Sequence, residues 1–543
     1  MSAKIRRGAV IRKQLLRRRR RNERRLDRRD VRGAERPVMT AGRVRFEVAD
    51  RVVATGCGGI AAMHQLVRQL GLVEAIDARL HVLKMHLPYH ESDHVLNLAY
   101  NALCGGRTLD DLELRRQDEA YLDLLGARRV PDPTTAGDFC RRFSELHIRA
   151  LQDVYHDARR QVWSQQPAEF FDQAVVDMDG TLVETTGECK QGIDISYDGR
   201  WGYHVLLLSL ANTGEVLSLV NRSGNRPSYE GADAEIDRLL PVLFGGGFRR
   251  VLLRGDTDFT QTKHLDRWAA DERVKFIFGM DVTAHRHLDA DCLPDAAWKP
   301  LIRREKRPVA TQPRAKPDRV KQRIVEERGF RDIHLDEETI AEMPYQPTAC
   351  TRPYRLIFVR KDVTIREAGR LLRDYRYFAY LTNDEQSPAE EIVFSANRRC
   401  DQENLHAQLG GGVRALYAPV DTLLSNWAWM VMTSLAWNLK AWFALLLPQP
   451  RGDGKAATAR REEQRRVLRM EFRTFVQALV QVPCQVLKTS GRLVCRVLGW
   501  NRWQPLFFRA VAALARRASP RQLATADVTP PPNPRQRTTP LRP

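Results

Sequence analysis

Residues 175–181 read Val-Val-Asp-Met-Asp-Gly-Thr, and residues 251–259 read Val-Leu-Leu-Arg-Gly-Asp-Thr-Asp-Phe. In both stretches a short apolar run, typical of a buried strand, leads into carboxylates. Loops at the carboxyl ends of strands are where α/β folds place their reactive side chains. The two stretches therefore predict an α/β sheet with Asp179 and Asp256 just past the ends of two strands.

Further strand and helix patterns fit the same sheet. Residues 203–211 and 216–220 are strand candidates, and residues 232–243 form a helical pattern before the second acidic stretch. Strands followed by a helix and a further strand indicate an α/β sheet with buried central strands. Residues from about 282 to 375 are more polar and irregular, and we interpret them as an insertion.

A third carboxylate, Glu403, begins a helical run in the stretch 397–405, Asn-Arg-Arg-Cys-Asp-Gln-Glu-Asn-Leu. Mg²⁺ prefers oxygen ligands and keeps several waters, so two or three carboxylates suffice to hold it. Two such ions about 4 Å apart can activate a nucleophile and stabilise the leaving oxygen in an in-line displacement. Each acid alone is more often a cap or turn former. The hypothesis rests on the set, and Asp177 and Asp258 remain alternative ligands.

The charge of the chain is unusual for a protein of 543 residues. Lys and Arg number 88 against 67 Asp and Glu, which gives a net charge of +21. Such a surplus repels itself unless an anionic partner such as nucleic acid or an acidic membrane is bound. The most apolar stretch, residues 427–447, contains Asn438 and Lys440 and predicts a buried or amphipathic helix rather than a membrane span. Nucleic acid is therefore the expected partner.

The cysteines and the N-terminus indicate the compartment. The nine cysteines are scattered, with no Cys-x-x-Cys pair, as is typical of reduced thiols in a cytosol. The N-terminus has arginines where a signal peptide has an apolar core. We expect a cytoplasmic protein.

The segment from about 170 to 440 resembles the DDE insertion-sequence transposases, and most closely insertion-sequence family 1380. The matching stretches are Asp-Met-Asp-Gly-Thr, Gly-Tyr-His-Val-Leu-Leu-Leu-Ser-Leu-Ala-Asn-Thr-Gly-Glu-Val-Leu, Arg-Ser-Gly-Asn, Leu-Leu-Arg-Gly-Asp-Thr-Asp-Phe and Asp-Gln-Glu-Asn-Leu. The resemblance implies a multidomain α/β protein with a ribonuclease-H-like catalytic core and a β-rich insertion. It also implies metal-dependent cleavage and strand transfer of the element's own DNA.

Carried over by position, Asp179, Asp256 and Glu403 are the implied catalytic and metal-binding triad for two Mg²⁺ or Mn²⁺ ions. Arg399 matches the arginine of a Tyr, Arg, Glu, Lys signature in related transposases, and could contact a phosphate near the cleaved end. The Tyr and Lys positions of the signature are Ala396 and Gly410 here, so the resemblance does not imply how flanking DNA is bound. Double-stranded DNA, comprising terminal repeats and target, is the implied partner, bound by a homodimer.

The expected domains follow from these observations. They are a basic disordered arm (1–40), a helical DNA-binding region (41–168), the catalytic domain (169–447, insertion at about 282–375), a basic helical region (448–520) and a disordered tail (521–543). In the arm, an unbroken run of arginines is expected to contact DNA phosphates without sequence preference: Arg17, Arg18, Arg19, Arg20 and Arg21.

Two other motifs compete with this interpretation. Asp177-Met-Asp-Gly-Thr181 also fits the nucleophile motif of haloacid-dehalogenase-like phosphatases, in which Asp177 would attack a phosphate. That alternative leaves Glu403 and the arginine surplus unexplained. His90-Glu91-Ser92-Asp93-His94 fits a zinc-protease pattern, but Pro88 predicts a helix start there instead. A DNA-binding protein with a decayed triad is the remaining, non-catalytic alternative.

Overall fold

The computed structural model describes residues 3–26, 45, 48, 52–86, 88–303, 332–367, 370–450, 452, 454–489 and 492–517. The chain divides into two compact units. The central unit comprises residues 167–183 and 193–406, and the terminal unit comprises residues 1–166, 184–192 and 407–543.

The elements are numbered in chain order through both units. The helices are α1 (Ala3–Leu26), α2 (Ile60–Gln69), α3 (Leu72–Arg79), α4 (Glu91–Leu103), α5 (Asp111–Arg116), α6 (Glu119–Leu125), α7 (Pro133–Arg141), α8 (Glu145–Trp163), α9 (Ala232–Gly245), α10 (Thr262–Ala269), α11 (Ala284–Asp291), α12 (Ala389–Asn397), α13 (Asp401–Ala407), α14 (Leu423–Leu445), α15 (Lys455–Leu468), α16 (Phe472–Phe475) and α17 (Gln504–Arg517). The strands are β1 (Ala54–Thr55), β2 (Ala174–Glu184), β3 (Asp194–Ile195), β4 (Trp201–Leu210), β5 (Glu215–Ser223), β6 (Val251–Gly255), β7 (Val274–Met280), β8 (Lys299–Pro300), β9 (Asp332–Tyr345), β10 (Tyr354–Glu367), β11 (Arg370–Thr382), β12 (Cys484–Thr489) and β13 (Arg492–Val497).

One mixed sheet organises the central unit. Its strand order is β3-β4-β2-β6-β7-β11-β10-β9-β8, and β5 pairs with β4 from off this path. The strands β2, β6 and β7 run parallel to one another, whereas β4 and β5 are antiparallel. All five residues of β6 are buried, which explains why the sequence of this strand is apolar without alternation. The mixed α/β class predicted from the sequence is confirmed.

The polar stretch interpreted as an insertion contributes long strands to this same sheet. β9, β10 and β11 form an antiparallel meander, and β11 pairs antiparallel with β7. A cluster of buried side chains joins this meander to the parallel strands and to α12: Leu252, Ile277, Leu301, Ile340, Ile357, Val359, Ile392 and Val393. Residues 304–331 of the stretch lie outside the described residues.

Helices dominate the terminal unit, which agrees with the helical region expected at residues 41–168. α14 is its centre, and its four tryptophans are at most 6% exposed: Trp427, Trp429, Trp437 and Trp442. The buried helix predicted for residues 427–447 is confirmed. Among the described residues, no helix is long and apolar enough to cross a membrane. The nine cysteines, all of them described, form no disulfide.

Two segments of the terminal unit differ from expectation. The basic arm forms the helix α1 where disorder was expected, because Arg and Leu are good helix formers. The Arg18 guanidinium donates hydrogen bonds to the carbonyls of Val497 (2.9 Å) and Gly499 (3.1 Å). The C-terminal region, expected to be helical, also contains the hairpin β12–β13, whose Val residues favour strands. The tail 521–543 lies outside the described residues.

The buried amine of Lys440 makes the stability of the terminal unit depend on pH. Its Nζ atom donates to the Leu468 carbonyl at 2.7 Å and lies 3.9 Å from the centre of the Trp437 ring. Burial lowers the pKa of Lys440 from 10.5 to about 7. The unfolded chain therefore binds more protons between about pH 7 and pH 10, and folding stability rises with pH across this window.

Lys440→Met is expected to remove this pH dependence. At pH 7 the variant avoids the cost of burying an ammonium group, and its advantage over wild type shrinks by up to about 1.4 kcal/mol per pH unit as the pH rises. Thermal unfolding of both proteins at pH 7 and pH 9 measures the difference. Lys455→Met, at an exposed lysine on α15, is the control and should show no such trend. A constant difference for Lys440→Met would contradict the prediction.

Candidate active site

Two adjacent parallel strands bring Asp179 and Asp256 together. In the pairing of β2 with β6, Asp177 lies opposite Arg254, so each aspartate is two residues beyond that pair. Asp256 directly follows β6, as predicted. The prediction for Asp179 was wrong in detail, because β2 continues through it to Glu184. The strand-forming residues after Gly180 (Thr, Leu and Val) explain this extension.

The helix α13 presents Glu403 and His406. Residues three apart lie on the same face of a helix, so these two side chains point in one direction. The helix begins at Asp401, two residues before the predicted start, so Glu403 lies in its first turn, and the Glu403 side chain is exposed. The neighbouring Gln402 is buried, and its amide donates to the carbonyls of Asp177 (3.2 Å) and Leu207 (3.1 Å). This amide fixes the start of α13 to strands β2 and β4.

Arg399 bridges the two aspartates. Its Nη1 lies 3.3 Å from Asp179 Oδ2, and its Nη2 lies 3.8 Å from Asp256 Oδ2. Nη1 is buried but makes no hydrogen bond of good geometry. The attraction is therefore mainly electrostatic, and the guanidinium keeps donor capacity for an incoming anion such as a phosphate.

Burial and mutual repulsion shift the acidity of the site. Burial, with repulsion from Asp179 and Asp258, raises the pKa of Asp256 to about 6 against the opposing charge of Arg399. Burial also raises the pKa of Asp179, and Glu403 adds to the shift. These carboxylates are costly to ionise together, so the site favours a bound cation.

His406 completes the cluster from α13. Its Nδ1 lies 3.9 Å from Asp179 Oδ2, and its Nε2 is buried without a hydrogen-bond partner. Burial, and then the nearby Arg399, lower the pKa of His406 to about 4, so the imidazole is neutral at pH 7. A neutral imidazole can accept a hydrogen bond or a metal ion through one nitrogen.

Asp177 has a different partner from Asp179. Arg254 binds it in a bidentate ion pair, with Nε 2.6 Å from Oδ1 and Nη2 2.9 Å from Oδ2. The two side chains are 5% and 3% exposed. Arg254 also donates to the Ser395 carbonyl (2.7 Å), at the end of α12. Because both oxygens of Asp177 accept hydrogen bonds from Arg254 and solvent does not reach them, Asp177 has no free oxygen with which to attack a phosphate.

Comparisons with known proteins identify the family of the chain. Residues 44–518 match the family described as transposase DDE domain group 1. The chain belongs to this transposase family. A solved structure, the cryo-EM structure of a piggyBac transposase synaptic complex with hairpin DNA, is 10% identical and covers 79% of this chain and 84% of that chain. The TM-score of 0.31 is too low to establish a shared fold. No curated protein matches.

The transposase family identifies DNA as the substrate and cleavage with strand transfer as the reaction class. Enzymes of this family use divalent metal ions, and the oxygen donors of Asp179, Asp256 and Glu403 suit such ions. The raised pKa values of Asp179 and Asp256 also suit a divalent metal ion, because a bound cation would relieve the repulsion between the carboxylates. Asp179, Asp256 and Glu403 do not place three ligand atoms within 4.8 Å of one another. Among the described residues, Asp77, His90 and Glu91 of the terminal unit do so.

The other predicted residues of the transposase lie outside this cluster or at its edge. Asp258 is exposed, and its backbone N–H donates to Asp256 Oδ1 at 3.1 Å. Asp256 therefore also caps the short turn after β6. The five arginines at 17–21 lie on α1 in the terminal unit.

Two members of the cluster, His406 and Gln402, were missed by the sequence analysis. His406 could have been found from its spacing, because it lies one helical turn after Glu403. The bridging position of Arg399 could not, because a sequence motif does not show which carboxylates a side chain faces. Gln402 reads as an ordinary helical residue until its two carbonyl partners are known.

Gly279 on β7 permits the approach of the Asp256 loop. A Cβ atom at this position would lie 2.8 Å from the Thr257 backbone nitrogen and 3.0 Å from the Asp256 carbonyl carbon. Gly279→Ala is therefore expected to displace the loop and to lower strand cleavage by about 10²-fold, since misplacement by about 1 Å is that costly. A gel assay of cleavage measures this. Gly410→Ala, with open space around its Cβ, should retain activity. Equal rates would contradict the prediction.

Proposed function

We propose that the chain is a cut-and-paste transposase whose Asp179, Asp256 and Glu403 form the catalytic, metal-binding triad. One observation carries this proposal: the guanidinium of Arg399 lies 3.3 Å from the carboxylate of Asp179 and 3.8 Å from that of Asp256. Two half-buried acids and a third in the first turn of a helix supply the carboxylates that a two-metal phosphoryl-transfer site uses.

The order of strands supports a ribonuclease-H-like core. Taken in chain order, the first three strands of the core are β2, β4 and β5, and two further strands, β6 and β7, follow with helices before each. Across the sheet they lie as β5-β4-β2-β6-β7, with the parallel pairs next to the first strand. We propose that β8 to β11 and the segments joining them are the family's β-rich insertion.

The residues divide the chemistry as follows. Two Mg²⁺ or Mn²⁺ ions, held by the three carboxylates, would activate the attacking oxygen and stabilise the leaving oxygen. Arg399 orients the scissile phosphate through the donors that it does not use on the aspartates. Water is the first nucleophile and frees a 3′-hydroxyl, which then attacks target DNA. Positioning and electrostatics supply the rate enhancement.

The remaining parts of the proposal concern DNA and assembly. The terminal unit and α1, with Arg17 to Arg21, contact DNA phosphates, and the basic surplus of the chain supports this role. A homodimer holds the two ends of the element. We also propose membership of insertion-sequence family 1380 and a bacterial, nucleoid-associated location. We keep the predicted domain boundaries in this proposal with two changes: the arm contains the helix α1, and residues 407–447, predicted in the catalytic domain, belong to the terminal unit.

The decisive experiment incubates the full chain with duplex DNA carrying the element's two ends, with Mg²⁺ or with a chelator. The expected result is metal-dependent nicking that leaves a 3′-hydroxyl, followed by joined products when target DNA is added. Binding without cleavage would overturn catalysis and favour a decayed DNA-binding protein. Release of inorganic phosphate from a phosphomonoester, without nicking, would favour the phosphatase alternative.

A further inference from the structure

Four side chains with metal-binding atoms meet at the start of α4 in the terminal unit. One ligand atom from each of Asp77, His90 and Glu91 lies within 4.8 Å of the other two. A fourth side chain, His86, places its Nε2 3.3 Å from Glu91 Oε2. The rings of His86 and His90 are 4.9 Å apart between centroids. The cluster therefore offers two imidazoles and two carboxylates from α3, from the segment that follows it and from α4.

The structure does not bring together the two histidines of the protease-like motif at 90–94, although their spacing suggests a shared site. α4 begins at Glu91, so the predicted helix start is confirmed. His94 is 3% exposed and stacks on Phe139, with 4.2 Å between ring centroids. The two histidines of the motif therefore do not share a site. His90 instead lies close to Asp77 and Glu91. The spacing of these three residues in the sequence does not predict this arrangement.

The two carboxylates are held in place by other groups. Glu91, only 1% exposed, accepts two backbone hydrogen bonds through Oε1, from Val82 and Leu83, each 3.1 Å long. This leaves Oε2 directed at His86. Asp77 accepts hydrogen bonds from the N–H and the hydroxyl of Ser92, both 2.9 Å long. Such partners orient ligands in metal sites and raise affinity.

We propose that Asp77, His86, His90 and Glu91 bind one divalent transition-metal ion of the Zn²⁺ class. Imidazole ligands select Zn²⁺ and its neighbours over Mg²⁺ and Ca²⁺, which prefer oxygen. Bonds of about 2.0–2.2 Å in a tetrahedral site separate ligand atoms by about 3.4 Å. The 3.3 Å between His86 and Glu91 already matches this separation. Both histidines are exposed, so small rotations can bring the others into range.

The bound ion would join α3, the segment 81–90 and α4. These elements belong to the same unit, and none of them supplies a residue to the proposed triad. The ion is thus a structural ion of the terminal unit and is separate from the ions of catalysis. A structural metal adds its binding free energy to folding.

The test uses the full chain, stripped of metal by a chelator, in three forms: wild type, His86→Ala/His90→Ala and the control His81→Ala. His81 is an exposed histidine in the same segment. Zn²⁺ titration by calorimetry gives the stoichiometry, and Co²⁺ gives a visible absorption band that reports nitrogen ligands. The double variant removes only exposed side chains, so folding should survive, and circular dichroism checks this.

Wild type and His81→Ala are expected to bind one Zn²⁺ more than the double variant, and to show a Co²⁺ band that the double variant lacks. Zn²⁺ should raise the melting temperature of the first two proteins more than that of the third. Equal stoichiometry in all three proteins would overturn the proposal, and so would loss of the ion in His81→Ala. In either case the cluster would serve only as the N-terminal cap of α4.

Discussion

Replacing Glu403 with glutamine is expected to lower the rate of DNA strand cleavage by roughly 10²–10³-fold, the usual effect of losing one charge-stabilising group. Glutamine keeps the shape of the side chain but removes the charge that a metal ion requires. Glu403 is exposed and lies at the start of a helix, so the substitution should leave folding and DNA binding unchanged. The single-turnover cleavage rate, measured with saturating protein, isolates the catalytic step.

The matched control is Glu390→Gln, which alters an exposed glutamate in the first turn of α12. We expect wild-type cleavage from it. If Glu403→Gln cleaved DNA as fast as this control, Glu403 would not belong to the triad. If it lost DNA binding as well, the side chain would act in recognition instead.

Arg254→Met should destabilise the central unit by about 3–5 kcal/mol, because it leaves the buried Asp177 carboxylate without a partner. The pair is bidentate and nearly inaccessible, at 5% and 3% exposure. The substitution also removes the hydrogen bond to the Ser395 carbonyl. Urea denaturation followed by circular dichroism measures the loss of stability.

Two further variants test the cause. Arg249→Met removes an ion pair of the same length, 2.6 Å, to Asp172, but its partners are 63% and 51% exposed. This loss should cost less than about 1 kcal/mol, since solvent screens exposed pairs. Asp177→Leu with Arg254→Met should recover most of the lost stability, because the lone charge is gone. Equal effects of Arg249→Met and Arg254→Met would contradict the role of burial.

The central strands and the triad candidates could be predicted from the sequence because their signals are local. A short apolar run that ends in an acid marks Asp256, and a helical period marks Glu403. The distinction between Asp177 and Asp179 could not be predicted. The two side chains are two residues apart on one strand, and only the position of Arg254 on the neighbouring strand shows that Asp177 is neutralised by an internal partner.

The same limit applies to the terminal unit. The buried helix α14 could be predicted because residues 427–447 are the most apolar stretch of the chain. The contact between Arg18 and the carbonyls of Val497 and Gly499 joins residues from opposite ends of the sequence. No periodic pattern encodes such a contact, so the helix α1 appeared in the sequence only as a run of charge. Local propensity explains the helix, whereas its long-range contacts could not be predicted.

The pairing of β11 with β7 gives the segment between them two neighbouring attachment points on the sheet. Met280 at the end of β7 lies opposite Ala379, so the chain leaves the core and re-enters it at neighbouring positions. Gln402 meanwhile ties the helix of Glu403 to strands that this excursion does not include. A different module could therefore replace this excursion only if it kept buried side chains that pack on Leu252 and Ile277.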